Sequence, residues 1–200
     1  MEEKKQPRVK ILVACHKADP NIRQDDIYMP IQVGKALHPE LDLGFQCDNT
    51  GDNISEKNGS YCELTALYWA WKNLKDVDYI GLCHYRRYFD LSNKEIYEAI
   101  DSGEILVAKP IILPTSVYNE LVYWTCLEDS TIFIDSLLTL FPEYKNDVIS
   151  YYFLDNRFSQ CNMMLMPKDA FNKYCEFIFP VLQLTENRIK LSGYSRQRRV

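Results

Sequence analysis

The sequence predicts a single α/β domain built on a mostly parallel sheet flanked by helices, and three observations carry that expectation. Residues 8–15, RVKILVAC, are a run of branched apolar residues with no polar alternation after Lys10, the pattern of a strand buried on both faces. Residues 61–74 place apolar side chains at helical spacing and lead through a short connection into a second apolar run, YIGLC at 79–83. Strand, helix and strand in that order form a βαβ unit. Further apolar runs at 104–108, EILVA, and 161–166, CNMMLM, supply later strands.

Composition narrows the class of function. At 200 residues, 46% apolar and 26% charged, the chain is an ordinary globular length and mixture, long enough to bury a core. A net charge of -5 argues against a dedicated nucleic-acid binder, because phosphate recognition requires a basic face. Fourteen Tyr and three Trp provide rings with a polar handle, suited either to a cleft for sugars or nucleotides or to the edge of the core. Seven cysteines without a CxxC pair read as reduced core thiols in a cytoplasmic protein. The start, MEEKKQPRVK, is charged and followed by a short apolar run, so neither a signal peptide nor a spanning helix is expected, and membrane contact would be peripheral.

Taken in order, the first strand at 8–15 is followed by a loop at 18–30 that contains Asp19-Pro20 and Met29-Pro30. Residues 31–38 fit a short strand or a helix, and 43–47, LGFQC, fit a second strand. Residues 48–60 are the most polar and turn-rich part of the chain, a loop. Ser60 with Glu63 spells a capping box that opens the 61–74 helix, with Leu64, Leu67, Tyr68 and Trp71 toward the sheet. The strand at 79–83 follows, then a helix at 94–102 and a strand at 104–108. Residues 110–128 mix Pro, Tyr and Trp without period and read as a loop or lid. Helices are expected from Asp129 to about residue 140, from Pro142, and from 167–169 to about 186. The last residues, 194–200, YSRQRRV, are basic.

Candidate chemistry lies at strand ends, because open α/β sheets bind ligands outside the carboxyl ends of their strands. The 79–83 strand runs into His84, Tyr85, Arg86 and Arg87, and the first strand ends at His16 and Lys17. Guanidinium forks match phosphate oxygens in pairs, which suits this cluster to the diphosphate of an activated donor. Asn53 and Lys57, in the polar loop, are candidate phosphate, ribose or sugar contacts, with a plain solvated loop as the alternative. There is no GxGxxG, GxxxxGK(S/T) or GxSxG, which argues against a dinucleotide enzyme, a P-loop enzyme or a nucleophile elbow. Cys15-His16 and Cys83-His84 are poor zinc ligands, since neighbouring strand residues face opposite ways. Asp76-Val77-Asp78 spells DxD but precedes its strand, at the wrong end of the sheet, so no metal ligand is assigned. Asp155, Glu128 and Asp129 are candidate general bases for an acceptor hydroxyl, with helix capping as the other role for Asp129.

The segments ILVACHK, NISEKNGSYCELTALYWAWKN, YIGLCHYRRYF, CNMMLMPKDAFNKYCEFIF and LSGYSRQRRV together resemble the DUF4422 family over nearly the whole chain. The resemblance implies one DUF4422-like domain over 1–200 with a GT-A-like, Rossmann-like fold. It also implies a bacterial glycosyltransferase of capsular or exopolysaccharide biosynthesis. Such an enzyme would move a sugar from a nucleotide-sugar donor to an oligosaccharide or lipid-linked glycan acceptor, in the cytoplasm at the inner membrane face. The HYRRYF segment at 84–89 falls where a GT-A enzyme places DxD, so donor binding by cations is expected, with a divalent ion, Mg or Mn, left open. Family members carry a His where this chain reads Tyr123-Trp124-Thr125-Cys126, and they continue past YSRQRRV into a segment with a Glu-Arg pair. These departures raise the expectation of a domain truncated at its C-terminus. They also raise an alternative, a catalytically inactive nucleotide-sugar- or glycan-binding scaffold of the same pathway.

Overall fold

The computed structural model describes residues 6–189; the basic 194–200 segment lies outside them. In chain order the elements are β1 (Val9–Cys15), β2 (Tyr28–Gln32), β3 (Gln46–Cys47), α1 (Asn58–Tyr61), α2 (Leu64–Asn73), β4 (Tyr79–His84), α3 (Asn93–Asp101) and β5 (Leu106–Val107). They continue with β6 (Ile111–Ile112), α4 (Val117–Trp124), α5 (Leu127–Leu140), α6 (Lys145–Val148), β7 (Arg157–Phe158), β8 (Met164–Pro167) and α7 (Lys168–Arg188). The chain divides into two compact units, Met1–Ala108 with Gln160–Cys175, and Lys109–Ser159 with Glu176–Val200.

The first unit holds a six-stranded sheet in the order β3-β2-β1-β4-β8-β5. Its first four strands are parallel, β8 is antiparallel to β4, and β5 is antiparallel to β8. The expected mostly parallel sheet is therefore present. β1 lies inside it because its apolar run has no polar face to offer water. Ile11, Leu12, Val13 and Cys15 are fully buried, and each large aliphatic side chain so placed contributes about 1.5–3 kcal/mol. One face of the sheet packs Val9, Ile11 and Val13 into a cluster with Ile96 and Ile100 of α3.

Several elements differ from the sequence expectation. β2 joins residues 28–30, expected as loop, to 31–32, which fitted a short strand or a helix, and Pro30 lies inside it. Proline is tolerated there because β3 pairs only with Ile31 and Gln32, so the outer side of β2 is an edge at Pro30. The second strand shortens to two residues. The expected 61–74 helix is broken: Cys62 has φ 49°, α2 starts at Leu64, and Glu63 at its start makes no capping bond. The capping box instead occurs at Ser92 and Glu95, opening α3. On α2, Ala66, Leu67 and Ala70 are buried, while Leu64, Tyr68 and Trp71 are half-buried, because small alanines form the close-packing side. The displaced rings make a flank in which Lys72 lies 3.2 Å from the Trp71 centroid.

In the second unit, residues expected as a loop or lid contain β6 and α4. Ser116 caps α4 by accepting from the Asn119 N–H. α5 begins two residues before Asp129, and its cap is Cys126, whose sulfur accepts from the Asp129 N–H. Residues 142–154 continue through a 3-10 turn, α6 and a π-helical segment. β6 pairs antiparallel with β7.

Candidate functional site

The carboxyl ends of β1 and β4 open on a cleft of about 300 Å³. β4 ends in a tight turn closed from both sides. The His84 N–H donates to the Arg87 carbonyl at 3.2 Å, and the Arg87 N–H donates back to the His84 carbonyl at 2.9 Å. This turn sends Tyr85 into the core, 4% exposed, and leaves Arg86 and Arg87 exposed on the cleft. The His16 ring meets Tyr85 edge-on at 5.2 Å, and the Arg86 guanidinium lies 5.0 Å from the Tyr85 centroid. Five of the sequence candidates, His16, His84, Tyr85, Arg86 and Arg87, thus line one cleft.

The two arginines differ from the others. Arg8, Arg23, Arg157 and Arg188 are each ion-paired with aspartate. Among the described residues, Arg86 and Arg87 have no acidic partner. Two adjacent uncompensated cations at a strand end make a local field that an anion would relieve. Partial burial, then the charges of Lys17, Arg86 and His84, lower the His16 pKa below the usual imidazole value. His16 is therefore neutral at pH 7, able to both donate and accept.

The opposite wall comes from the break between α1 and α2 and from the loop before β8. His84 Nε2 lies 2.7 Å from the Cys161 carbonyl. A carbonyl only accepts, so Nε2 carries the proton. Glu63 Oε1 is 3.7 Å from the same nitrogen and accepts from Asn162 Nδ2 at 2.7 Å. Cys62, Cys161 and Asn162 all have positive φ, of 49°, 69° and 47°. Strained non-glycine backbone on both sides of one contact indicates that the surrounding fold enforces it.

Behind this wall sits Asp48, fully buried. Its carboxylate accepts from the Gly34 N–H at 2.8 Å, the Lys35 N–H at 3.2 Å, the Ser55 hydroxyl, and the Thr65 hydroxyl at 2.6 Å. It ties the end of β2 to the 55–65 segment that carries Asn58, Cys62 and Glu63. Sequence reasoning missed Asp48, Asn58, Glu63 and Asn162. Only Glu63 carried a signal, and that signal was read as a helix cap.

The remaining candidates lie elsewhere. Lys17, Asn53 and Lys57 do not line the cleft. Asn53 is engaged within its own loop, accepting from the Ser55 N–H and donating to the Gly51 carbonyl, and Lys57 lies 5.6 Å from the Tyr61 centroid. Glu128, Asp129 and Asp155 belong to the second unit. Asp155 is held by the Arg157 side chain and by the Arg157 and Asn156 N–H groups, which bring its pKa down to about 2. So acidic a carboxyl is a weak base near neutrality. Asp76 and Asp78, the DxD-like pair, bind Arg8 at the amino end of β4. Of the seven cysteines only Cys15, Cys83 and Cys175 are buried; Cys62 is exposed on the cleft, which corrects the expectation of core thiols. The second unit has its own apolar cavity of about 510 Å³, with Leu121, Trp124, Phe133 and Tyr151 in its wall.

A family model described as a domain of unknown function, DUF4422, matches residues 10–200. The chain belongs to the DUF4422 family. No curated protein matches it. Among solved structures, this DUF4422 chain is similar to the apo structure of the bifunctional glycosyltransferase WbbM, at 30% identity and a TM-score of 0.82. The match covers 96% of this chain and 40% of the WbbM chain, so the DUF4422 chain spans less than half the length of that protein. Its fold is GT-A-like. Among the described residues no group of three His, Cys, Asp or Glu side chains could hold a metal, and the cleft presents two unpaired guanidinium groups beside His84. Among the described residues, no helix is long and apolar enough to cross a membrane.

Proposed function

We propose that the chain is a glycosyltransferase domain that binds a nucleotide-sugar donor in the β1/β4 cleft and passes the sugar to a hydroxyl of a glycan acceptor. The observation that carries this reading is the pair Arg86 and Arg87, unpaired among the described residues at the carboxyl end of β4. Breaking the sugar–diphosphate bond leaves negative charge on the diphosphate. Two guanidinium groups at that point stabilise the charge as it develops. The likeness to WbbM, a glycosyltransferase, supports the same class of reaction. Capsular or exopolysaccharide assembly, with an oligosaccharide or lipid-linked acceptor at the inner membrane face, is the setting that the family resemblance suggests.

The test is a thermal-shift and calorimetric screen of uridine, guanosine and thymidine diphosphate hexoses. At least one donor should raise the melting temperature. Arg86→Ala and Arg87→Ala should each weaken that donor by roughly 10- to 100-fold, the equivalent of about 1.5–3 kcal/mol for a lost charged hydrogen bond. Their own melting temperatures should change little, since neither arginine has an acidic partner among the described residues and Arg86 would lose only an exposed contact with the Tyr85 ring, worth about 0.5–1 kcal/mol. Unchanged donor affinity in both variants would remove the cationic strand end from the site.

A further inference from the structure

We infer that Glu63 is the general base of this cleft, the group that takes the proton from the attacking hydroxyl. The inference rests on the donor-site reading above. Four features single out this side chain. Glu63 occupies a capping-box position yet makes no capping bond, because the Cys62 backbone at φ 49° breaks the helix and carries Glu63 out of it. It is then held from ninety-nine residues away by Asn162, itself at φ 47°. Its side chain is 16% exposed on the same cleft as Arg86 and Arg87. Only Oε1 is engaged, by Asn162 and at longer range by His84, so Oε2 has no partner among the described residues.

Other carboxylates of the first unit do not meet these conditions. Both oxygens of Asp48 are fully used by buried donors, and Asp78 is bound to Arg8. Among the described residues, no other Asp or Glu lines the cleft.

The step balances as follows. The acceptor oxygen forms a bond to the anomeric carbon while the bond from that carbon to the diphosphate oxygen breaks. The electron pair of the broken bond leaves on the diphosphate, facing Arg86 and Arg87. The hydroxyl proton passes to Glu63 Oε2 and then to solvent. His84, whose Nε2 proton is donated to the Cys161 carbonyl, fixes the wall beside Glu63.

Glu63→Gln keeps the size of the side chain and an oxygen for Asn162 but removes the base. Wild type, Glu63→Gln and Glu63→Asp are each measured with uridine, guanosine and thymidine diphosphate hexoses. Donor binding is read by thermal shift, and release of nucleoside diphosphate to water is read as turnover. Glu63→Gln should retain the donor-induced stabilisation and lose turnover by about 100-fold or more, the usual contribution of a positioned base. Glu63→Asp, which keeps a carboxylate one methylene back, should retain part of the rate. Turnover of Glu63→Gln within about threefold of wild type overturns the inference and leaves the donor site standing. Loss of donor binding in that variant also overturns it, making Glu63 a donor contact. If wild type binds donors without releasing nucleoside diphosphate, the base has no reaction to serve and the inference falls, while the binding site survives. If wild type binds none of them, both readings fall together.

Discussion

Asp48 is a buried charge whose every lone pair direction is occupied. Two backbone N–H groups and two hydroxyls converge on it from Gly34, Lys35, Ser55 and Thr65, and a carboxylate out of water is tolerable only when satisfied in this way. Asp48→Ala would leave the Gly34 and Lys35 N–H groups without an acceptor. It should destabilise the protein by about 3 kcal/mol or more, lowering the melting temperature by roughly 6–12 °C. A fall of less than about 2 °C would show that the network is not what holds this wall. Donor binding should weaken as well, because Ser55 and Thr65 flank the segment that presents Glu63. In the sequence Asp48 is one polar residue among thirteen in a turn-rich stretch, and its partners lie up to 17 residues away. Glu63 was hidden differently, by a pattern that fits a local role. Residues 84–87 were legible because a fully apolar strand ends abruptly in cations, and that contrast needs no tertiary information.

At the level of elements, the placement of the cleft depends on how closely β8 approaches β4. Gly81 makes this approach possible. A Cβ there would stand 2.6 Å from the Met164 carbonyl oxygen, a backbone atom that cannot rotate away. Gly81→Ala should therefore push β8 off β4, at a cost of about 1–3 kcal/mol. Asn162 lies two residues before β8, so donor affinity should fall with stability. Gly59→Ala is the control, since a Cβ at that position meets nothing within 4 Å and should leave the melting temperature unchanged or slightly higher. Equal melting temperatures for Gly81→Ala and wild type would refute the close-approach argument. Long elements with a clear period, β1, β4, α3 and α7, were readable in the sequence. β3 and β5 were expected as longer strands, at 43–47 and 104–108, and shorten to two residues each, whereas β6 and β7, also two residues each, are too short to show any period. β2 was obscured by Pro30, which local rules assign to a loop and which only the short reach of β3 makes acceptable in a strand.

Across the whole molecule, charge is arranged in two opposing ways. The chain carries a net charge of -5, yet its cleft presents Arg86 and Arg87 without acidic partners among the described residues. Attraction inside the cleft acts over a few ångströms, shorter than the Debye length of about 8 Å at physiological ionic strength, and salt screens it weakly. Repulsion between a diphosphate and the acidic body acts over longer distances, and salt screens it strongly. Adding salt therefore weakens the local attraction and the distant repulsion together, and the two changes partly cancel. Affinity for a nucleoside diphosphate sugar should fall by less than about tenfold between about 50 and 200 mM salt, against the roughly 10³- to 10⁵-fold loss expected of a basic protein gripping many phosphates. The same balance predicts that a single-stranded oligonucleotide, which must lay several phosphates along the acidic surface beyond the cleft, shows no binding by fluorescence anisotropy at physiological salt. A steep salt dependence for the donor, or tight binding of the oligonucleotide, would mean that the anion is held by an extended basic surface in place of two arginines at the end of β4.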